Sequence, residues 1–198
     1  MARITKLLYY VILLITFNAC SPIGPITSAV GTVGNASISE KGLTKTVEDT
    51  YTKSKILAKI STIKIKNLTN VEVNVAFGKV LLTGYVNDQV NRLKVVNSVW
   101  NIDGVKEVFN EINIGNPPTL SQRTDDMIFQ TKIQSRLLFK PGINSSNYHI
   151  DVVKGNVYVI GFADNLEEKT LVENFLKKMD DIGRLVTIIS IPRQVKNE

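Results

Sequence analysis

This chain carries the same passage twice. Shifted by 77 positions, residues 49–114 lie over residues 126–191 without a gap. Asp49 falls on Asp126, Lys55-Ile56 on Lys132-Ile133, Asn67 on Asn144, Gly78 on Gly155 and Gly84 on Gly161. Ile112 and Ile114 fall on Ile189 and Ile191. Only about one position in five is identical, but the glycines and the phase of the apolar residues agree, as in tandem copies of one supersecondary unit. Asn116-Pro117-Pro118 separates the copies, because consecutive prolines end helix and strand alike.

Each copy predicts the same order of elements. A helix comes first, over 47–61 and 125–139, with Ile56/Ile60 and Ile133/Leu137 four residues apart. Alternating strands follow at 71–75 and 148–152. Phe77-Gly78-Lys79 and Lys154-Gly155-Asn156 then make tight turns, where glycine accepts positive φ. Return strands lie at 80–85 and 157–162, second helices at 88–100 and 165–179, and last strands at 107–114 and 184–191. The expected fold is α+β: two tandem αββαβ sandwiches, each a three-stranded sheet with two helices on one face.

The N-terminus reads as an export signal. Arg3 and Lys6 precede an apolar run from Leu7 to Phe17, shorter than the ~20 residues of a spanning helix. Phe17-Asn18-Ala19-Cys20 ends it, and Cys20 is the only cysteine of the 198 residues. These four residues resemble a bacterial lipoprotein box. That resemblance implies cleavage after Ala19 and acylation of Cys20, with Ser21 favouring the outer membrane. An ordinary signal peptide and an uncleaved anchor with a free thiol are the alternatives. Residues 21–46, rich in Gly, Ser, Thr, Pro and Ala, read as a flexible tether. The expected organisation is signal 1–19, acylated cysteine and tether 20–46, first domain 47–115, linker 116–123, second domain 124–192 and tail 193–198.

The folded part resembles a known family. Val73-x-Val75-x2-Gly78-x-Val80-x-Leu82-x-Gly84, a helix, then Gly104-Val105-x2-Val108 is similar to the BON domain. Ile150-x-Val152-x2-Gly155-x-Val157-x-Val159-x-Gly161 is similar in the second copy, although there Gly183 follows Ile182. With the lipoprotein box and tether, the chain resembles the dual-BON outer-membrane lipoproteins. The resemblance implies anionic phospholipid binding at the periplasmic side of the outer membrane, support of envelope integrity and cell division, and no catalysis. Outer-membrane assembly or division proteins are possible partners on the same ground.

Subtracting one copy from the other isolates a candidate surface. In the second copy's first helix, Phe129, Ile133 and Leu137 form one face, assigned to the sheet. Met127, Ile128, Leu138 and Phe139 point away from it, and their counterparts are Thr50, Tyr51, Ser61 and Thr62. Lys132 and Lys140 flank this second stripe. Apolar side chains beside cations suit anionic headgroups, each nearby Lys or Arg adding about 1 kcal/mol. The expected phospholipid-binding residues are therefore Met127, Ile128, Lys132, Leu138, Phe139 and Lys140. The alternative is that the stripe packs between the two domains or against the tether.

Charge is uneven. Net charge is +6, of which Arg3 and Lys6 account for two. Residues 49–114 hold nine Lys/Arg and six Asp/Glu, and residues 124–191 hold eight and nine. Lys53, Lys55, Lys59, Lys64 and Lys66 make a basic stretch that reads either as a headgroup patch or as a solvated helix face. The single histidine, His149, has no cysteine or second histidine to share a metal, so no metal site is expected. No phosphate loop, nucleophile elbow or nucleophile–base–orienter set occurs, so neither cofactor nor catalysis is expected. Nucleic acid suits an exported, mildly basic chain poorly.

Overall fold

The computed structural model describes residues 40–64 and 71–192. The first copy comprises α1 (Glu40–Ser61), β1 (Val71–Ala76), β2 (Lys79–Val86), α2 (Gln89–Trp100) and β3 (Glu107–Ile114). The second comprises α3 (Leu120–Leu138), β4 (Tyr148–Val153), β5 (Asn156–Phe162), α4 (Leu166–Lys177) and β6 (Leu185–Ser190). The protein is thus α+β, with a three-stranded sheet in each copy ordered β1-β2-β3 and β4-β5-β6. β1 and β2 form an antiparallel hairpin, and the α2 crossover brings β3 back parallel to β2. β4, β5 and β6 repeat this pattern.

Two helix starts fall earlier than their sequence expectations. α1 begins at Glu40, inside the stretch read as tether. α3 begins at Leu120, inside the stretch read as linker. The cause at α3 is a capping box: the Thr119 hydroxyl accepts from the Gln122 N–H while the Gln122 side chain accepts from the Thr119 N–H. Asp88 and Asn165 cap α2 and α4 in the simpler way, by accepting one backbone N–H each. The signal, Cys20 and most of the tether lie outside the described residues.

Within each copy the helices cover one face of the sheet. Ile56 and Ile60 of α1 and Val95 and Val99 of α2 pack on Val73, Val75, Val80, Leu82 and Ile112. In the second copy Ile133, Leu137, Val172 and Leu176 pack on Ile150, Val152, Val157, Val159 and Ile189. Successive strand residues point to opposite faces, so Leu81 and Tyr85, or Tyr158 and Ile160, face away from the helices. Those residues are buried too. Ala76, Leu81 and Tyr85 meet Val153, Tyr158, Ile160 and Ile188 in a third core between the sheets. The two domains therefore pack sheet to sheet, and the molecule has four layers: helices, sheet, sheet, helices. Burying each of the larger side chains contributes about 1.5–3 kcal/mol.

The hairpin turns organise both levels of packing. Phe77 and Lys154 precede the turn glycines and have φ of 56° and 51°. This left-handed conformation costs a non-glycine residue about 1–2 kcal/mol. A carboxylate from the first helix offsets it. Asp49 accepts from the Phe77 N–H (2.6 Å) and the Gly78 N–H (2.9 Å). Asp126 accepts likewise from Lys154 (2.8 Å) and Gly155 (2.9 Å). The side chains then cross between domains. The Phe77 ring meets the Phe162 ring edge-on at 4.8 Å, and Lys154 Nζ sits 4.3 Å from the centre of the Tyr85 ring. Residues 77 and 154 are equivalent in the repeat, as are 85 and 162, so the interface has an internal pseudo-twofold relation.

Two further details tie sequence to packing. Gly161 sits against the β4 backbone, where an added Cβ would overlap the Asn147 carbonyl oxygen. The displaced glycine of the second copy's last motif leaves its hydrogen bond intact: Gly183 donates to the Gly155 carbonyl as Lys106 donates to that of Gly78.

A polar patch sits at one rim of the sheet-to-sheet core. The Thr83 hydroxyl of β2 donates to the Asp151 carboxylate of β4. Burial pushes the Asp151 carboxyl above its ordinary range, and the Thr83 bond opposes that. His149 lies at the same rim, exposed by area but crowded enough that desolvation, with Lys53, lowers its pKa.

Two outcomes are expected. Asp126→Ala removes two charge-assisted hydrogen bonds, and urea denaturation should show a loss of about 3 kcal/mol. Asp151→Asn should raise the melting temperature at pH 7. A raised folded pKa makes the ionised carboxylate a penalty at high pH that fades as pH falls through that pKa, so the variant's advantage should shrink on acidification.

Candidate functional site

α3 has two distinct apolar faces. Ile133 and Leu137 are fully buried against the second sheet, and Phe129 is half-buried beside them. On the opposite side Met127 and Ile128 are each 62% exposed, Leu138 63% and Phe139 82%. This face belongs to the outermost layer. It does not pack between the domains, because the sheets form that contact. One alternative open in the sequence is thereby removed.

The expected residues form two groups. Ile128 and Lys132 line an open groove of about 510 Å³ between α3 and the β4–β5 turn. Met127 flanks them on the helix surface. Leu138, Phe139 and Lys140 lie at the other end of α3, about 15 Å along the axis at 1.5 Å per residue. Lys140 and Lys132 are both exposed. Residues not found by copy subtraction join the first group: Phe129 and Lys154 line the same groove. Leu120, 82% exposed, opens the helix. Only the earlier helix start, signalled by Thr119-x-x-Gln122, makes Leu120 part of this surface.

Electrostatics temper the cationic character of the groove. Lys132 Nζ donates to Asp181 Oδ2 at 2.6 Å and lies 5.7 Å from the Phe129 ring centre. The Lys132 hydrogen bond, its charge and the more distant Arg136 hold the Asp181 carboxyl below the usual carboxylate range. Asp181 therefore competes with any anion for Lys132. Pairing across 49 positions of sequence is not readable from local pattern.

The same groove exists in the first copy, smaller at about 270 Å³ and lined by Lys45, Tyr51, Lys55, Phe77 and Lys106. Lys55 donates there to the Asp103 carbonyl at 2.7 Å, and its Nζ lies 4.6 Å from the Tyr51 ring centre. Lys53 donates to the Asn74 side chain at 3.2 Å. Lys59 and Lys64 are exposed, and Lys66 lies outside the described residues. Among the described residues, Lys53 and Lys55 thus turn to different partners, on β1 and on the loop before β3.

Glu168 is buried and accepts from the Asn144 N–H (2.8 Å) and the Asp164 N–H (2.7 Å), so it ties a loop to the start of α4. Among the described residues no group of three or more His, Cys, Asp or Glu is placed to hold a metal. Among them, too, no helix is long and apolar enough to cross a membrane.

A tandem α+β sandwich joined through its sheets, with an apolar outer helix face, defines the class. The BON domain profile matches residues 48–116 and 125–190, and the chain belongs to the BON-domain family, as a protein with two such domains. The family is associated with phospholipid binding and envelope stress and is generally non-enzymatic. An uncharacterized protein encoded in the gshII 5′ region of Anaplasma centrale is 32% identical over 124 residues, covering 62% of this chain and 82% of that one. A 21 kDa hemolysin of Actinobacillus pleuropneumoniae is 26% identical over 127 residues, 64% of this chain and 65% of that one, so the match spans just under two thirds of the hemolysin. Two structures of CdsD, a structural protein of the type III secretion system of Chlamydia trachomatis, align at TM-score 0.28. One, of its C-terminal domain, is 14% identical, covering 70% of this chain and 63% of that one. The other is 11% identical, covering 72% and 93%. Those values add nothing to the fold described above.

Asp181→Asn should free Lys132 and remove a charge that repels anionic headgroups. Co-sedimentation with phosphatidylglycerol vesicles should show binding strengthened about fivefold, on the scale of 1 kcal/mol per available lysine.

Proposed function

We propose that this protein binds anionic phospholipid through the exposed face of α3, as a non-enzymatic, lipid-anchored, periplasm-facing protein that supports outer-membrane integrity and cell division. One observation carries the reading: Met127, Ile128, Leu138 and Phe139 stand exposed on an outermost helix beside Lys132 and Lys140. At three of the four positions the sister copy has Thr50, Ser61 and Thr62 instead. At those three positions the sister copy folds without an apolar side chain. Each would contribute about 1.5–3 kcal/mol if fully buried in lipid, and partial insertion a fraction of that. Binding by α3 alone is therefore reversible.

The acylated Cys20 supplies the permanent attachment in this reading. Several acyl chains hold a protein on a bilayer at about 0.8 kcal/mol per buried CH₂. α3 then decides which lipid the tethered body rests on. Protein adaptor function for envelope assembly machinery is the second reading, favoured by the exposed Val90, Leu93 and Trp100 on α2.

Two measurements test the proposal. In flotation with anionic liposomes, a chain lacking residues 1–20 and carrying Ile128→Asp and Phe139→Asp should lose at least about tenfold in binding, since each change removes apolar insertion and adds a repelled charge. Its melting temperature should hold, because both side chains are exposed. A folded double mutant that floats like the parent sinks α3 as the contact. The intact mass of membrane-extracted protein should correspond to a chain starting at Cys20 plus acyl groups; an unmodified mass refutes the anchor.

A further inference from the structure

Each sheet ends on a strand parallel to its neighbour, β3 in the first copy and β6 in the second. In such a strand alternate residues turn their backbone groups inward, to the central strand, or outward, past the edge. In β3 the outward set is 108, 110, 112 and 114, because Gly115 donates inward to the Val86 carbonyl. In β6 the outward set is 185, 187, 189 and 191, because the carbonyls of Arg184 and Ser190 accept inward from Val157 and Ala163.

The first copy closes this edge with its own side chains, and the second does not. Asn110 accepts from the Ile112 N–H at 3.2 Å, and Arg92 of α2 donates to the Ile112 carbonyl at 3.4 Å. The equivalents of Asn110 and Arg92 are Thr187 and Lys169. Lys169 turns instead to Glu173, 3.9 Å away, where the first copy has Val96. Among the described residues no group bonds the outward N–H and C=O of Thr187 and Ile189. Backbone groups in that condition face water or a further strand.

We propose that the β6 edge pairs antiparallel with the β6 edge of a second copy of this chain, joining their second sheets into one. Twofold symmetry about Ile188 sets Thr187 of each copy opposite Ile189 of the other, and each supplies the N–H and C=O that the other lacks. The occupant follows from the strand itself. β6 reads Leu-Val-Thr-Ile-Ile-Ser, with neither charge nor proline, the devices by which edges refuse a like strand. Arg184, just before it, is held by Glu111 and falls opposite Pro192 of the other copy, so no like charges meet. The closed β3 edge offers a second copy no such place, so pairing ends at two chains rather than continuing as a fibre. One short strand from each copy is a small interface, and the dimer is weak and concentration-dependent. It makes no use of the exposed face of α3, and so goes beyond the lipid reading without resting on it.

The test transplants the closure. Thr187→Asn with Lys169→Arg places the first copy's two blocking groups on the second edge. In sedimentation equilibrium of the full chain in nonionic detergent, the parent should dimerise as concentration rises, and the double variant should dissociate about tenfold more readily. Its melting temperature in dilute solution should hold. In the unaltered chain, hydrogen exchange at the Thr187 and Ile189 amides should slow with rising concentration, while that at Ile112 stays constant. Ile128→Asp with Phe139→Asp should leave the dimer intact and lower only vesicle flotation, so the two readings fail separately. The proposal is overturned by a parent that stays monomeric, by a folded Thr187→Asn, Lys169→Arg chain that dimerises like the parent, or by a dimer in which the 187 and 189 amides exchange freely. A dimer that the α3 variants dissolve also overturns it. So does a monomeric chain whose 187 and 189 amides are slowed only by an added uncharged, extended peptide, which would assign the edge to another protein's strand.

Discussion

A three-stranded sheet with helices on one side has a second face that must meet water or something apolar. In this protein both sheets carry large apolar residues there, and each is the other's cover. Leu81, Tyr85, Tyr158, Ile160 and Ile188 make a core that neither copy could close alone. Everything outward follows from that pairing. The helices are driven to the outer layers, their solvent faces become the molecule's two broad surfaces, and the turns at 77–78 and 154–155 reach the partner domain's strand ends.

Those turns show how local and long-range terms share one site. Phe77 and Lys154 hold a backbone conformation that glycine would adopt at less cost. The carboxylates of Asp49 and Asp126 hold both turn amides, and the side chains themselves have work across the interface, on Phe162 and Tyr85. Asp49 and Asp126 were among the matched positions of the repeat, which marked them as equivalent without showing what they hold.

How much was legible in the sequence differs by level. Element order followed from the glycines and the apolar phase, because strand alternation and helix spacing are local. The domain arrangement did not. Its signal was present in 80–82 and 157–160, whose runs are apolar at consecutive positions and so have two dry faces. Such a run says that something covers the second face, and the other copy is only one candidate. The exposed stripe on α3 was found by subtraction, since a periodic apolar residue with a polar counterpart is not required by the fold. The Lys132–Asp181 pair was invisible, because its partners meet only after the second sheet has formed. Val90, Leu93 and Trp100, exposed on the outer face of α2, have polar counterparts at 167, 170 and 177, a difference visible only when the second helices of the two copies are compared position by position.

The reciprocal contacts of Phe77 with Phe162 and Lys154 with Tyr85 give the interface the form of a twofold homodimer written into one chain. A true homodimer must display every surface twice, once on each side. Covalent fusion lifts that rule while keeping the joint. One flank can then change without altering its mirror image, and a symmetric core can carry a polar, directional exterior. The molecule thereby has a front and a back.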